Sequence, residues 1–182
     1  MRQNVKPCSD WRLYVIIDRA AALGRDLAEL AASAIRGGAD VIQLRDKTAS
    51  ARQLKETGKR LLEVTRAANI PLIINDRPDV ARAIGTDGVH LGQNDRSIDE
   101  TRQMLGSGTL IGQSTHSLEQ AVGAEIQGAD YVALGPLPVP ERRVRHPEVL
   151  HLRAEGLRVG PDDLPRRRHR VVRGPERPAH LH

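Results

Sequence analysis

The sequence predicts an α/β fold of the (β/α)8 TIM-barrel type, incomplete, with about six βα units recognisable. Three observations carry that expectation. Short apolar runs alternate with longer stretches of helical character from residue 12 to residue 136. A glycine motif recurs ahead of every second run. Polar groups gather where the runs end, while their earlier positions stay apolar.

In chain order the strand-like runs are "RLYVIID" (12–18), "DVIQLRD" (40–46), "PLIIND" (71–76), "GVHLG" (88–92), "TLIGQS" (109–114) and "YVALGP" (131–136). Helical patterns fall between them, near 26–36, 50–68, 78–83, 97–105 and 117–126. The longest begins at Ser50, a good N-cap, and sets Leu54, Leu61, Leu62 and Thr65 near one stripe. Strands that alternate with helices imply parallel pairing through crossover connections. "GGAD" stands before the second run, "GTDG" before the fourth and "GAD" before the sixth, with Gly38, Gly85 and Gly128 spaced 47 and 43 residues apart. Each glycine is placed to end a helix in the left-handed conformation, and one βα unit takes about 22 residues. A doubly wound open sheet is the other candidate, but no G-x-G-x-x-G follows the first strand.

The bulk numbers bound the chemistry. A chain of 182 residues suits one domain, and its single cysteine, Cys8, excludes an internal disulfide framework. No apolar run reaches membrane-span length, and the N-terminal stretch lacks a signal-peptide pattern, so a cytoplasmic location is expected. The formal net charge of +5 is unevenly spread. Residues 1–137 carry 17 Lys+Arg against 17 Asp+Glu, whereas 138–182 carry 11 Arg, no Lys and 6 Asp+Glu. The same tail holds 7 of 11 prolines and 5 of 7 histidines, with no Ile and no aromatic residue. Two segments are therefore expected: a barrel region over 1–137 and an atypical Arg/Pro/His-rich tail over 138–182.

"VIQLRDK" (41–47) shows the functional pattern at its clearest. Side chains alternate along a strand, so Gln43, Arg45 and Lys47 share one face and Ile42 and Leu44 the other. The third run ends in Asn75, Asp76 and Arg77; the fourth gives His90, Gln93 and Asp95; the fifth gives Gln113, Ser114 and His116. Taken singly, Asp76 would serve as a helix N-cap, His90 as a structural histidine and Arg45 as half of a surface ion pair. Independent caps would not bring two cations, two carboxylates, amides and a hydroxyl to one end of four successive strands. That set suits a phosphorylated substrate with a divalent ion: Arg45 and Lys47 for phosphate oxygens, Asp76 and Asp95 as hard oxygen ligands. There is no zinc-type Cys/His spacing, no nucleophile elbow and no P-loop.

"QLRDK" (43–47), "PLIINDR" (71–77), "GVHLGQND" (88–95), "IGQSTHS" (111–117) and "GADYVALGP" (128–136), in that order, strongly resemble the thiamine-phosphate synthase family. The resemblance implies a barrel enzyme of thiamine biosynthesis. Such a transferase joins hydroxymethylpyrimidine diphosphate to thiazole phosphate and releases pyrophosphate with Mg²⁺. Carried over residue by residue, it implies that Arg45, Lys47 and Asn75 contact the diphosphate and that Gln43 and His90 lie near the pyrimidine. It further implies that Asp76 and Asp95 hold Mg²⁺ and that Ser114 lies beside the reacting centre, with Arg45, Lys47 and Ser114 counted as catalytic. The related thiazole tautomerase shares the fold, but Asp95 together with complete "QLRDK" and "NDR" favours the synthase.

The resemblance stops after Pro136, where the family's Phe-Pro-Thr-x-Thr-Lys loop is replaced by "LPVPERRVRHP". Only "EVLHL" and "RVV" remain as short apolar runs, and neither reads as a strand of a further βα unit. A shift of reading frame near codon 137 in GC-rich DNA explains this composition best, ahead of a rebuilt family C-terminus. A nucleic-acid-binding tail is disfavoured because it lacks stacking aromatics. The expectation for such a chain is open edges at its first and sixth strands, low stability and little synthase activity, leaving at most a remnant that binds diphosphate and Mg²⁺.

Overall fold

The computed structural model describes residues 7–135 and the backbone of residues 150–153. After a short 3-10 turn at Cys8–Asp10, strands and helices alternate without exception up to the sixth strand. The units are β1 (Tyr14–Asp18), α1 (Leu27–Arg36), β2 (Val41–Arg45), α2 (Ala51–Ala67), β3 (Leu72–Asn75) and α3 (Pro78–Ile84). They continue with β4 (Gly88–Leu91), α4 (Ile98–Leu105), β5 (Leu110–Thr115), α5 (Leu118–Ile126) and β6 (Tyr131–Leu134). Each of these six strands and five helices agrees with the sequence expectation to within a few terminal residues.

The sheet order is β1-β2-β3-β4-β5-β6, parallel at each step. Each crossover therefore advances by one strand, with no reversal of order. A doubly wound sheet needs such a reversal, so the open-sheet alternative is excluded and the six units form an incomplete barrel.

Two apolar layers follow from the alternation. Ile42, Leu44, Leu72, Ile74, Val89, Leu91, Ile111 and Val132 are buried in one cluster with helix residues such as Leu27, Ala31, Leu54, Leu61, Val80, Ile98 and Ala121. These are the outward-facing strand positions beneath the helices. Val41, Ile73 and Leu110 form a second, smaller cluster with Trp11 and Tyr14 on the inward face. The chain's whole aromatic complement, one Trp and two Tyr, meets there. Trp11 packs edge-on against Tyr14 and Tyr131 at centroid separations of 5.9 and 5.3 Å, and the two tyrosine rings lie 5.9 Å apart. Side chains of the first and sixth strands thus touch across the barrel interior.

The helices begin and end as their sequences direct. Ser50 and Ser97 each complete a capping box, with Gln53 and Glu100 respectively. Gly38, Gly85 and Gly128 have φ of 92°, 67° and 86°, the left-handed region that lets the chain leave a helix and turn into the next strand.

The aspartate that follows each of these glycines does more than turn the chain. Asp40, Asp87 and Asp130 donate their backbone N–H to the carbonyls of Leu13, Leu72 and Ile111, at 2.9, 3.1 and 2.8 Å. Their carboxylates accept in return from the backbone N–H of the same three residues, at 2.9, 2.9 and 2.7 Å. Three times over, the Gly-x-Asp repeat clamps the start of an even strand to the start of the odd strand before it. The internal repeat is thus a two-strand repeat with a physical cause.

One element departs from expectation. Residues Leu150–Arg153, overlapping the run "EVLHL" that did not read as a strand, form β7, which pairs antiparallel with β6 from Leu134↔Leu150 to Tyr131↔Arg153. The sixth strand is therefore not an open edge. β7 occupies its unpaired backbone groups, as sheet edges require, and being antiparallel it is not the start of a further βα unit. Among the described residues β1 pairs only with β2. The other expectations for 138–182 fall outside the described residues.

Candidate active site

The carboxyl ends of β1 to β5 bring the sequence-selected residues together in two connected groups. The first is charged. Asp76 directly follows β3 with φ of 59°, a left-handed conformation rare for a side chain larger than glycine, and its N–H donates to the His90 carbonyl at 2.8 Å. It does not cap the next helix: Arg77 occupies that N-cap position and no side chain caps it. The Asp76 carboxyl instead lies beside that of Asp95 from the loop after β4, close enough to perturb its ionisation, with Asn75 and Lys47 alongside. Burial, and then the nearness and charge of Asp95, push the Asp76 pKa up to about 6, against the opposing pull of Lys47 and Asn75. Asp95 is itself fixed by the Gly92 N–H at 2.6 Å.

Arg45 closes this rim on the β2 side. Its guanidinium pairs with Asp18 at the end of β1, and the two are register partners in the sheet. Asp18 also accepts from the N–H groups of Ala20 and Ala21 at 2.8 and 3.1 Å, which ties the β1–α1 loop to the same carboxylate. Sequence reasoning missed Asp18, although its place at the end of the first strand was a usable signal.

The second group is a neutral polar spine running inward. Asn75, His90, Gly112 and Tyr131 are successive register partners across β3, β4, β5 and β6. His90 is 6% exposed. Its Nε2 lies 2.9 Å from Ser114 Oγ and its Nδ1 3.2 Å from the Tyr131 hydroxyl. That hydroxyl is 3.0 Å from the hydroxyl of Tyr14, which accepts from Gln43 Nε2 at 3.0 Å. Burial holds both phenols protonated by raising their pKa. Tyr14 and Tyr131 escaped the sequence reading because an aromatic at a strand start reads as core. Their contacts with His90 and Gln43 exist only once distant strands are adjacent.

Four polar residues at the strand ends have structural partners instead. Arg77 forks onto Asp79 at 2.8 and 2.7 Å, and His116 Nδ1 sits 2.6 Å from the Gly135 carbonyl. Gln113 donates to the Gly92 carbonyl at 3.0 Å, while Gln93 Nε2 donates to the Ser114 carbonyl at 2.5 Å. The last two tie the end of β5 to the loop that carries Asp95.

A model of the thiamine monophosphate synthase family matches residues 13–148, about three quarters of the chain and every residue just described. This chain belongs to that family. Thiamine-phosphate synthase of Natronomonas pharaonis is 41% identical over 150 residues, covering 82% of this chain and 70% of that protein. Its counterpart in Shouchella clausii is 46% identical over 127 residues, 70% of this chain and 61% of that protein. Among solved structures, thiamine phosphate pyrophosphorylase from Pyrococcus furiosus matches with a TM-score of 0.64 and 39% identity, over 70% of this chain and 62% of that one. The chain thus spans about three fifths to seven tenths of the length of these thiamine monophosphate synthase family members.

Within that family frame the Asp76–Asp95 pair fits a divalent cation. Burial and the neighbouring Asp95 carboxyl both disfavour the ionised form of Asp76. A hard dication between the two carboxyls would offset that cost. Among the described residues no group of three or more His, Cys, Asp and Glu is placed to hold a metal. A pair of carboxylates matches Mg²⁺, which commonly takes one or two from the protein and the rest from substrate phosphates and water.

Proposed function

We propose that this chain acts as a thiamine-phosphate synthase, transferring the hydroxymethylpyrimidine group from its diphosphate to thiazole phosphate with release of pyrophosphate. The observation that carries the reading is the rim on which Lys47, Asn75, Asp76 and Asp95 meet, with Arg45 on the neighbouring strand. Cations, an amide and a carboxylate pair at the carboxyl ends of parallel strands suit a diphosphate and its metal ion. A thiazole tautomerase has no diphosphate to bind and no use for the second carboxylate.

In this reading Arg45 and Lys47 neutralise diphosphate oxygens as the leaving group gathers charge, Arg45 with a planar fork and Lys47 as a point charge. Asn75 orients the same group. Asp76 and Asp95 would hold Mg²⁺, which supplies further charge neutralisation on the leaving diphosphate. Gln43 and His90 lie at the inner, pyrimidine end, and Ser114 stands between them and the rim. No covalent nucleophile is needed if diphosphate leaves before the thiazole nitrogen attacks. A cytoplasmic location, suited to one cysteine, belongs to the same proposal.

The loop that binds thiazole phosphate in the family is replaced in this chain after Pro136, so the test separates the halves. Purified chain is incubated with both substrates and Mg²⁺, and thiamine phosphate is measured by conversion to thiochrome. Product that disappears in Asp95→Asn supports the synthase. Pyrophosphate binding with no product in the parent chain would leave only the diphosphate half-site. Neither binding nor product would overturn the reading.

A further inference from the structure

We propose that Tyr131 is a positioning residue for Ser114, acting through His90: its hydroxyl fixes the imidazole as the Nε2–H tautomer and so aims the Ser114 proton into the mouth of the barrel. The contacts form one chain through five strands: Gln43 on β2, Tyr14 on β1, Tyr131 on β6, His90 on β4 and Ser114 on β5. Their successive separations are 3.0, 3.0, 3.2 and 2.9 Å.

The polarity of that chain can be followed from its inner end. An amide nitrogen only donates, so Gln43 gives a proton to the Tyr14 oxygen. In the polarity proposed, Tyr14 donates its hydroxyl hydrogen to the Tyr131 oxygen, and Tyr131 donates its own to Nδ1 of His90. The imidazole then carries its hydrogen on Nε2 and donates to Ser114 Oγ, which leaves the serine proton free to donate outward. The reverse polarity would have the Tyr14 oxygen accept from both Gln43 and Tyr131, which a hydroxyl oxygen can do, and would turn the Ser114 hydroxyl inward onto the imidazole. That arrangement would make a serine–histidine nucleophile and base. It would also withdraw a donor from the place where, on the proposed function, anionic oxygens bind.

The surroundings hold the chain rigid. Tyr131 is wedged between Trp11 and the backbone of Gly112, where a single methyl group would not fit. Gln93 anchors the Ser114 carbonyl from the neighbouring loop. The hydroxyls therefore have little freedom to seek other geometry, which is the condition for second-layer groups to orient those that touch substrate.

This inference rests on the synthase reading only for what the Ser114 proton meets, and the test keeps the two apart. Long-range 1H–15N spectra of histidine-labelled protein at pH 7.5, with His90 assigned by its loss in His90→Gln, read the tautomer without any turnover. A single Nε2–H form is expected in the parent, giving way to a mixture in Tyr131→Phe, which keeps the ring contacts and removes the donor. In the synthase assay Tyr131→Phe is expected to lower kcat about tenfold with KM for the diphosphate substrate within twofold. Combined with Ser114→Ala it should add no further loss. An Nδ1–H form in the parent, or an unchanged tautomer in Tyr131→Phe, overturns the proposal. A parent with a pure Nε2–H form but no turnover supports the positioning role and counts against the synthase reading alone.

Discussion

Gly112→Ala tests the barrel interior at its tightest point. Gly112 lies on β5 between His90 and Tyr131, and a Cβ built there falls 2.5 Å from both Cε2 and the hydroxyl oxygen of Tyr131. The ring cannot yield freely, since Trp11 packs on it at 5.3 Å and Tyr14 at 5.9 Å. Overpacking of this kind costs about 1–3 kcal/mol. Displacing the Tyr131 hydroxyl from Tyr14 and His90 adds about 1 kcal/mol for each hydrogen bond. A total of about 3–5 kcal/mol is therefore expected, a large share of the roughly 5–15 kcal/mol that stabilises a domain. Urea unfolding followed by tryptophan fluorescence reads this directly, because the chain's one tryptophan, Trp11, lies against the ring in question. Gly123→Ala is the matched control. It lies within α5 with nothing within 4 Å of the added methyl, and is expected to stabilise by about 0.5–1 kcal/mol. A cost below about 1 kcal/mol for Gly112→Ala, with Trp11 emission unaltered, would refute the packing argument. So would full additivity of Gly112→Ala with Tyr131→Ala, since the two should share one cost.

The three Gly-x-Asp clamps should behave alike. Asp87→Ala removes the acceptor for the Leu72 N–H and is expected to cost about 1–3 kcal/mol in urea unfolding, with Asp40→Ala close to it. A neutral effect at both would show that the repeat is a turn signal only. In metal-free protein, Asp76 titrates with a folded pKa of about 6, above the usual unfolded value of about 3.9. The native state holds the extra proton, so this contribution is present in full below about pH 4 and is lost as pH rises through about 6. Screening of a carboxyl only partly removed from water holds the change to about 1 kcal/mol. Asp76→Asn should abolish it, and a stability profile unchanged by that substitution would contradict the assignment. Ser50→Ala, which removes the cap from α2, is expected to cost about 1 kcal/mol by the same unfolding assay.

The elements were legible because their signals are local. Apolar alternation marked all six parallel strands, and Ser50, Ser97 and the left-handed glycines marked helix ends with residues that act within a few positions of themselves. The carboxylate rim was legible for a related reason: strand ends in a parallel sheet share one edge, so Asp76 and Asp95 could be placed together before their contact was seen. Contacts between strands distant in sequence were not legible. Tyr14 and Tyr131 are 117 residues apart, and nothing near either one announces the other. Asp18 carries no mark that it pairs with Arg45 until β1 and β2 lie side by side. The clamps were half legible: glycine announced a turn, but the carboxylate's return bond to the preceding odd strand needs the sheet. β7 was missed because no helical pattern in the Arg/Pro/His-rich sequence around it frames its four residues, whereas the equally short β3, β4 and β6 follow helices.

Can separate strands of this one chain gather a single anion and its ion? Titration calorimetry with inorganic pyrophosphate, with and without Mg²⁺, asks this most directly. Binding is expected to require Mg²⁺ and to weaken at least about tenfold in Asp76→Asn, Asp95→Asn and Arg45→Ala, each worth about 1.4 kcal/mol or more. Arg77→Ala, whose guanidinium is engaged by Asp79, should leave it within twofold. Equal loss at Arg77 and Arg45, or undiminished binding in Asp95→Asn, would contradict the account.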